Sequence, residues 1–439
     1  MKDTPIDYDV VKRHIRQSKI RNVGKASIRE IKRLINGIEE ETGKRFVRME
    51  MGVPGLAPTE IGVRAEIDAL RRGVAAIYPD IEGTPVLKKE AARFAKLFLD
   101  IDVNEANCVP TVGSMQGGFA AFLTFSKINK KQDTTLFIDP GFPVHHQQHK
   151  VLGLKYETFD VYDYRGEKLR EKLESYFSKG NIHSVLYSNP NNPSWICFTP
   201  KELAIIGELA TKYNVIIIED LAYFAMDFRK DYSKPGQPPY QPTVAKYTDN
   251  YVILISGSKI FSYAGQRIGF MVVSNKLFNT QSDNLLRYYS TDIVGRALIY
   301  GTVYALSAGT AHSTQYALAA MLKAVNDGTY DFVKVIREYG EKARIMKKMF
   351  LDNGFNIVYD KDEDVPIADG FYFTFAYPGF TGEELLEEML YYGISAVALN
   401  ITGSERIEGI RACVSLVQRE QFPALEERLR KFNENHKKS

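Results

Sequence analysis

Short, continuous apolar runs recur between about residues 108 and 273: CVPTV, TTLFID, SVLYSN, VIIIED, YVILIS and IGFMVV. Each is rich in Val, Ile, Leu or Phe, as expected for strands buried on both faces. Helical patterns separate several of them. The stretch PKELAIIGELATKY at 200–213 has Pro200 at its entry and apolar residues at helical spacing. This alternation predicts an α/β fold built on a mostly parallel sheet. In such sheets ligands bind beyond the carboxyl ends of the strands. Polar residues stand at those ends: Asp139, Asn189, Asp220 and Ser256. Four separate segments are therefore expected to direct polar groups to one rim.

A chain of 439 residues suits a large domain with a smaller companion. From about 330 the pattern reads helix (FVKVIREYGEKARIMKKMFLDNG), strand (GFYFTF), helix (TGEELLEEMLYYG), strand (IRACVSL), helix (EQFPALEERLRKFNEN). That is a small α+β unit. The Ala-rich segment 295–326 reads as one long connecting helix. SIREIKRLINGIEEET, within the first 50 residues, is a further helix expected to pack on the small domain. The expected boundaries are residues 1–50 for an N-terminal arm and part of the small domain, 51–325 for the large domain, and 326–439 for the small domain.

Charge narrows the function. Lys and Arg number 57 against 54 Asp and Glu, so the net charge is only +3. Neither nucleic acid nor an acidic membrane surface is an expected partner. No apolar run approaches the roughly 20 residues that cross a bilayer. The N-terminus carries charges throughout, without an apolar signal core. The three cysteines, Cys108, Cys197 and Cys413, are far apart and form no CxxC pair. They fit a reducing compartment, and a cytoplasmic location is the expectation.

One residue stands out against this background. Lys259 follows the strand pattern YVILI in SGSKIFSYAGQRIGF. An amine at the end of a buried strand can act as a Schiff-base nucleophile, because burial and nearby positive charge favour its neutral form. Taken alone, a lysine reaching solvent or pairing with a carboxylate is the simpler explanation. Ser256 precedes it by three residues and Arg267 follows by eight; a hydroxyl and a guanidinium near one amine suit a phosphate. TVGSMQGGF offers a second phosphate cradle if a helix begins at its Gly-Ser, since helix N-termini present unpaired N–H groups. Asp220 at the end of VIIIED is either a helix N-cap or a partner for a protonated ring nitrogen. Asn192 in SNPNNPS and Tyr223 also admit plain readings, as a turn residue and a core residue. Together, a lysine, a ring-pairing acid and a phosphate cup define pyridoxal 5′-phosphate.

At this point the sequence resembles the fold-type I, class I/II aminotransferases over nearly its whole length. SGSKIFSYAGQRIGF is similar to that family's S-x-S-K-(x)7-R-x-G motif. The resemblance implies a seven-stranded-type sheet sandwiched by helices, with a smaller α+β domain. It makes Lys259 the Schiff-base lysine, and Ser256 and Arg267 phosphate ligands. In TVGSMQGG it implies backbone N–H donors at Ser114 and Met115. DPGFPVH implies Phe142 as the ring-stacking aromatic and places His145 three residues later, against the pyridine-binding acid. SNPNNPS makes Asn192 a partner of the cofactor O3′. The D-x-x-Y of EDLAY puts Asp220 on the pyridine nitrogen and Tyr223 on O3′. MGVPGL puts Gly52 beside the substrate carboxylate, and GIRACVSL makes Arg411 its ligand. YPDIEGTPVLKK implies that Tyr78 reaches the cofactor of a neighbouring subunit, hence a homodimer.

The implied activity is transfer of an amino group between an α-amino acid and a 2-keto acid by a ping-pong mechanism through Lys259, with Asp220 and Tyr223 assisting. A pyridoxal-phosphate-dependent lyase or decarboxylase on the same fold is the alternative. Arg296 lies in the region where dicarboxylate-specific relatives carry a second arginine, but no motif marks it. One position departs from the family pattern: Trp195, the only tryptophan, stands where the family has Gly after N-P-[ST]. In HHQQH, His145 and His149 would share a helix face, but no third ligand is apparent and no metal is expected.

Overall fold

The computed structural model describes residues 3–437. The chain forms two compact units. The larger comprises Leu56–Asn191 and Cys197–Ile336; the smaller comprises the residues up to Gly55, Asn192–Ile196 and those from Arg337 onward. The division at 336/337 falls inside the helix Phe332–Asp352, not at 325/326. The first turn of that helix is held by the larger unit, because the Phe332 ring packs against Phe94, Phe98, Phe224 and Phe261. Among the described residues no helix is long and apolar enough to cross a membrane.

The larger unit is built on seven strands: β1 (Cys108–Thr111), β2 (Thr134–Asp139), β3 (Lys155–Asp160), β4 (Ile182–Ser188), β5 (Ile216–Asp220), β6 (Tyr251–Ser256) and β7 (Gly269–Val273). Their spatial order is β1-β7-β6-β5-β4-β2-β3. Only β7 runs antiparallel to its neighbours; the remaining pairs are parallel. Six of the seven coincide with the apolar runs. The seventh, β3, has the sequence KYETFD and lies at the sheet edge, partly exposed. An edge strand needs no continuous apolar run, which is why pattern alone passed over it. The segment 295–326 is not one helix. It breaks at Ala308 and Gly309, both with positive φ (52° and 104°), before His312–Asn326.

The smaller unit carries a four-stranded antiparallel sheet of β8 (Asn356–Ile357), β9 (Tyr372–Ala376), β10 (Val397–Ala398) and β11 (Ile410–Cys413), in the order β10-β11-β9-β8. Its helices include Ile28–Thr42, Gly382–Tyr391 and Phe422–His436. Two of them start with full capping boxes, Ser27 with Glu30 and Thr381 with Glu384, each satisfying N–H groups the helix leaves unpaired. Phe350, Phe355, Phe373, Phe375 and Phe432 interlock as the core.

Consecutive strand residues point to opposite faces, so β5 sends Glu219 and Asp220 opposite ways. Glu219 is fully buried and accepts hydrogen bonds from the Tyr187 hydroxyl (3.1 Å), the Val244 N–H (3.2 Å) and the Thr243 hydroxyl. Burial outweighs these donors and pushes its carboxyl up to about 7. A raised carboxyl value means the folded chain holds a proton that the unfolded chain has released. The stability it lends is present at low pH and is lost as pH rises towards 7. Glu219→Gln, uncharged at every pH, is expected to match the parent in urea unfolding near about pH 5. At about pH 8 it should exceed the parent by on the order of 3 kcal/mol.

Candidate active site

The parallel strands β2, β4, β5 and β6 end on one edge of the sheet, at Asp139, Ser188, Asp220 and Ser256. A shallow recess at this edge is lined by Asp139, Phe142, His145, His146, Ser188 and Asp220. The Asp220 carboxylate accepts one hydrogen bond, from the Ala222 N–H at 3.0 Å. Among the described residues no basic side chain pairs with it. Burial pushes its carboxyl up to about 7, so a cation at this place would be needed to hold it ionised. Tyr223 is buried, three residues on.

Strand β7 brings a second group of segments to the same edge. Gly269 pairs with Ser256 on one side and Thr111 on the other. Helix α1 (Gly113–Phe125) starts two residues after Thr111. Two glycines report how closely the chains approach. Gly113 has φ +67°, and a Cβ added there would lie 2.7 Å from Arg267 Nη2. A Cβ on Gly269 would lie 2.6 Å from the Ile255 carbonyl oxygen and 3.3 Å from Ser114 N. Ser114, Met115, Ser256 and Arg267 therefore gather at one sheet end. Ser256 is buried and its hydroxyl accepts from the Ser258 N–H at 3.1 Å, capping the short turn of helix that carries Lys259. Lys259 is half-buried. Arg267 itself has φ +50° and donates from Nη1 to the Ala264 carbonyl at 2.9 Å.

Helix α2 (Pro143–Leu152) begins immediately after Phe142, whose ring meets His145 edge-on at 5.7 Å. His145 and His149 both face inward, as the spacing predicts. His149 donates from Nδ1 to the His145 carbonyl (3.1 Å), which leaves Nε2 to accept from the Thr135 hydroxyl (2.8 Å). Burial holds both rings at about 4, hence neutral near pH 7. Sequence reasoning missed a neighbour: His146 Nε2 stands 3.3 Å from Asp139 Oδ2. The HHQQH run contained the signal, but attention to the i, i+4 pair passed over the residue between.

Tyr78 is 91 % exposed. Arg296 is also exposed, with its guanidinium 5.8 Å from the Tyr300 ring.

Gly52, Asn192 and Arg411 belong to the smaller unit. Arg411, in the middle of its sheet, is 3 % exposed. It donates from Nη1 to Asn192 Oδ1 (3.2 Å) and from Nη2 to the Glu50 carbonyl (2.7 Å). Its buried Nε–H has no hydrogen-bond partner, and among the described residues no carboxylate pairs with it. A buried guanidinium without a counter-charge is costly unless an anion joins it. Its neighbour is Tyr372, whose ring centroid lies 4.5 Å from the guanidinium carbon. Tyr372 sits in GFYFTF, which reads only as a strand, so nothing in the sequence marked it.

Trp195 is fully buried with φ +66°. A left-handed backbone at a residue other than glycine costs ~1–3 kcal/mol. Burying an aromatic ring of roughly 150–250 Å² contributes about 4–6 kcal/mol. Burial wins, so the loop keeps the backbone a glycine would adopt while carrying an indole.

The model of the family Aminotransferase class I and II matches residues 47–421. The chain belongs to the class I and II aminotransferases. It is therefore an enzyme, and its reaction is transfer of an amino group. The family is generally dependent on pyridoxal 5′-phosphate. The chain is 24 % identical to a probable aspartate aminotransferase of Methanocaldococcus jannaschii, over 76 % of this chain and 88 % of that protein. It is 22 % identical to an LL-diaminopimelate aminotransferase of Natranaerobius thermophilus, over 74 % and 76 %. The matched share falls to 62 % of an aspartate aminotransferase of Sulfolobus acidocaldarius. An alanine aminotransferase from Pyrococcus furiosus shares the fold, with a TM-score of 0.75 at 19 % identity, covering 94 % of this chain and 98 % of that one. These relatives are all aminotransferases, which does not favour the lyase or decarboxylase alternative.

Gly113→Ala tests the crowding at this aminotransferase's strand edge. The left-handed backbone alone should cost ~1–2 kcal/mol in urea unfolding. The loss should exceed that of an alanine placed at Gly153, which also has positive φ but where an added Cβ would meet nothing within 4 Å.

Proposed function

We propose that this aminotransferase holds pyridoxal 5′-phosphate at the strand edge around Lys259 and moves the amino group of an α-amino acid to a 2-keto acid in a ping-pong sequence. The observation that carries the reading is Asp220. It is a buried carboxyl without a basic partner, on the same edge as a lysine and a glycine-lined anion cradle. A protonated ring nitrogen is the cation such a carboxyl lacks.

When bound, the cofactor supplies a ring that accepts the electron pair released at the substrate Cα. Lys259 would hold the cofactor covalently and, once displaced by substrate, take the Cα proton. Ser256, Arg267 and the N–H groups of Ser114 and Met115 would hold the phosphate, where a helix start and a guanidinium offer several donors. Phe142 would cover one face of the ring. Tyr223 and Asn192 would donate to O3′. Arg411 would bind the substrate α-carboxylate in its fork, with Asn192 and Gly52 beside it. Tyr78 would serve the cofactor of a second copy in a homodimer. The exposure of Tyr78 and of its neighbour Ile77 supports this segment as part of an interface.

Three measurements test this reading. Titrating the holoenzyme absorbance with a panel of amino acids should bleach the cofactor band and rank the donors. Lys259→Ala should abolish the covalent attachment, and a reduced adduct mapping to another lysine would overturn the assignment. Mixing Lys259→Ala with Tyr78→Ala subunits should restore activity, because a mixed dimer holds one site with both residues intact. Two inactive parents giving an inactive mixture that nonetheless exchanges subunits would refute the shared site.

A further inference from the structure

The smaller unit contains an arrangement that the proposed roles leave unused. Arg411, Tyr372, Trp195 and Gly370 form a column of buried groups. The guanidinium carbon of Arg411 lies 4.5 Å from the Tyr372 ring centroid. The Tyr372 ring meets Trp195 edge-on, at 6.1 Å and 67°. A Cβ added to Gly370 would fall 2.0–2.2 Å from three atoms of the indole. On its other side the Tyr372 hydroxyl occupies the space of a Gly52 Cβ, 2.1 Å away. Tyr372, Trp195 and Arg411 are 1 %, 0 % and 3 % exposed.

The geometry points to Tyr372 as a positioning residue for Arg411, fixed in place by Trp195, so that the guanidinium meets the α-carboxylate of the amino-acid or keto-acid substrate in one orientation. Two protein acceptors hold Arg411, one on each terminal nitrogen, while its Nε–H has none. Hydrogen bonds alone therefore leave one side of the fork open. The tyrosine ring supplies the remaining constraint, since a buried cation is attracted to an aromatic face without using an N–H. The fork stays available to a carboxylate, which a carboxylate side chain in place of the ring would have neutralised. Trp195 acts through Tyr372 and touches no solvent. Glycine at 370 is the complement that admits the indole. Trp195 and Gly370 thus form an interdependent pair, and the departure from the family's loop sequence becomes part of substrate-carboxylate recognition.

This inference rests on the proposed role of Arg411, and the test separates the two. Holoenzymes carrying Arg411→Leu, Tyr372→Leu, Tyr372→Phe, Trp195→Phe and Gly370→Ala are compared by KM and kcat for one amino acid and one keto acid. Arg411→Leu should raise both KM values; if it does not, the underlying reading fails. Tyr372→Leu should raise both KM values about tenfold with kcat within about twofold, and Tyr372→Phe should return KM to within about twofold of the parent. Gly370→Ala should raise KM in the parent but add little in a Trp195→Gly background, as expected of coupled neighbours. If Arg411→Leu raises KM while Tyr372→Leu leaves it unchanged, or if Tyr372→Phe is as impaired as Tyr372→Leu, the positioning role is overturned. Should Tyr372→Leu not fold, Trp195→Phe decides the question: a KM rise with intact kcat sustains the role, and unchanged KM values reject it.

Discussion

Strand β7 runs against both of its neighbours, and the larger unit's chemistry depends on that reversal. Were it parallel, its entry would lie at the far end of the sheet. Running antiparallel, it begins where β1 and β6 finish, so Gly269 is flanked by Thr111 and Ser256. The loop from β6 into β7 then has to turn back over the same edge, carrying Lys259 and Arg267 with it. Three chain segments far apart in sequence are thereby held within van der Waals reach. The two glycines are what this convergence demands, because a single methyl group at either place would meet backbone or guanidinium atoms.

Each unit also contains, at its candidate site, a buried charge-bearing group that the protein leaves without an opposite partner. In the larger unit it is Asp220, lifted in pKa by burial. In the smaller it is Arg411, with an orphaned N–H. Other buried ionic groups are treated differently. Glu202 is paired with Arg165 through two hydrogen bonds and additionally accepts the Gly166 N–H, which holds its carboxyl below the usual range. Glu219 lacks a basic partner but accepts hydrogen bonds from two hydroxyls and a backbone N–H, whereas Asp220 accepts only one. Leaving Asp220 and Arg411 unmatched is a cost to stability of the kind that collects where a ligand is to be bound.

The sequence made the sheet readable because six strands are buried on both faces and so appear as unbroken apolar runs. The edge strand β3 was hidden because its first four residues are exposed or only partly buried. The break at Ala308–Gly309 was hidden because alanine there adopts a left-handed backbone that its composition disfavours. Lys259, Ser256 and Arg267 could be read together because their spacing within one short segment carries the information. Tyr372 could not. Its role comes from its nearness to Arg411 and Trp195, which lie 39 residues after it and 177 before it in the chain. Pairing across a sheet and packing between loops leave no periodic mark on a sequence.

Trp195 is the sole indole in 439 residues. All tryptophan fluorescence of this protein therefore originates from one buried position, 6.1 Å from the tyrosine ring that underlies Arg411. The protein carries a built-in optical probe of the surroundings of Arg411, seated in the smaller unit and undiluted by a second indole.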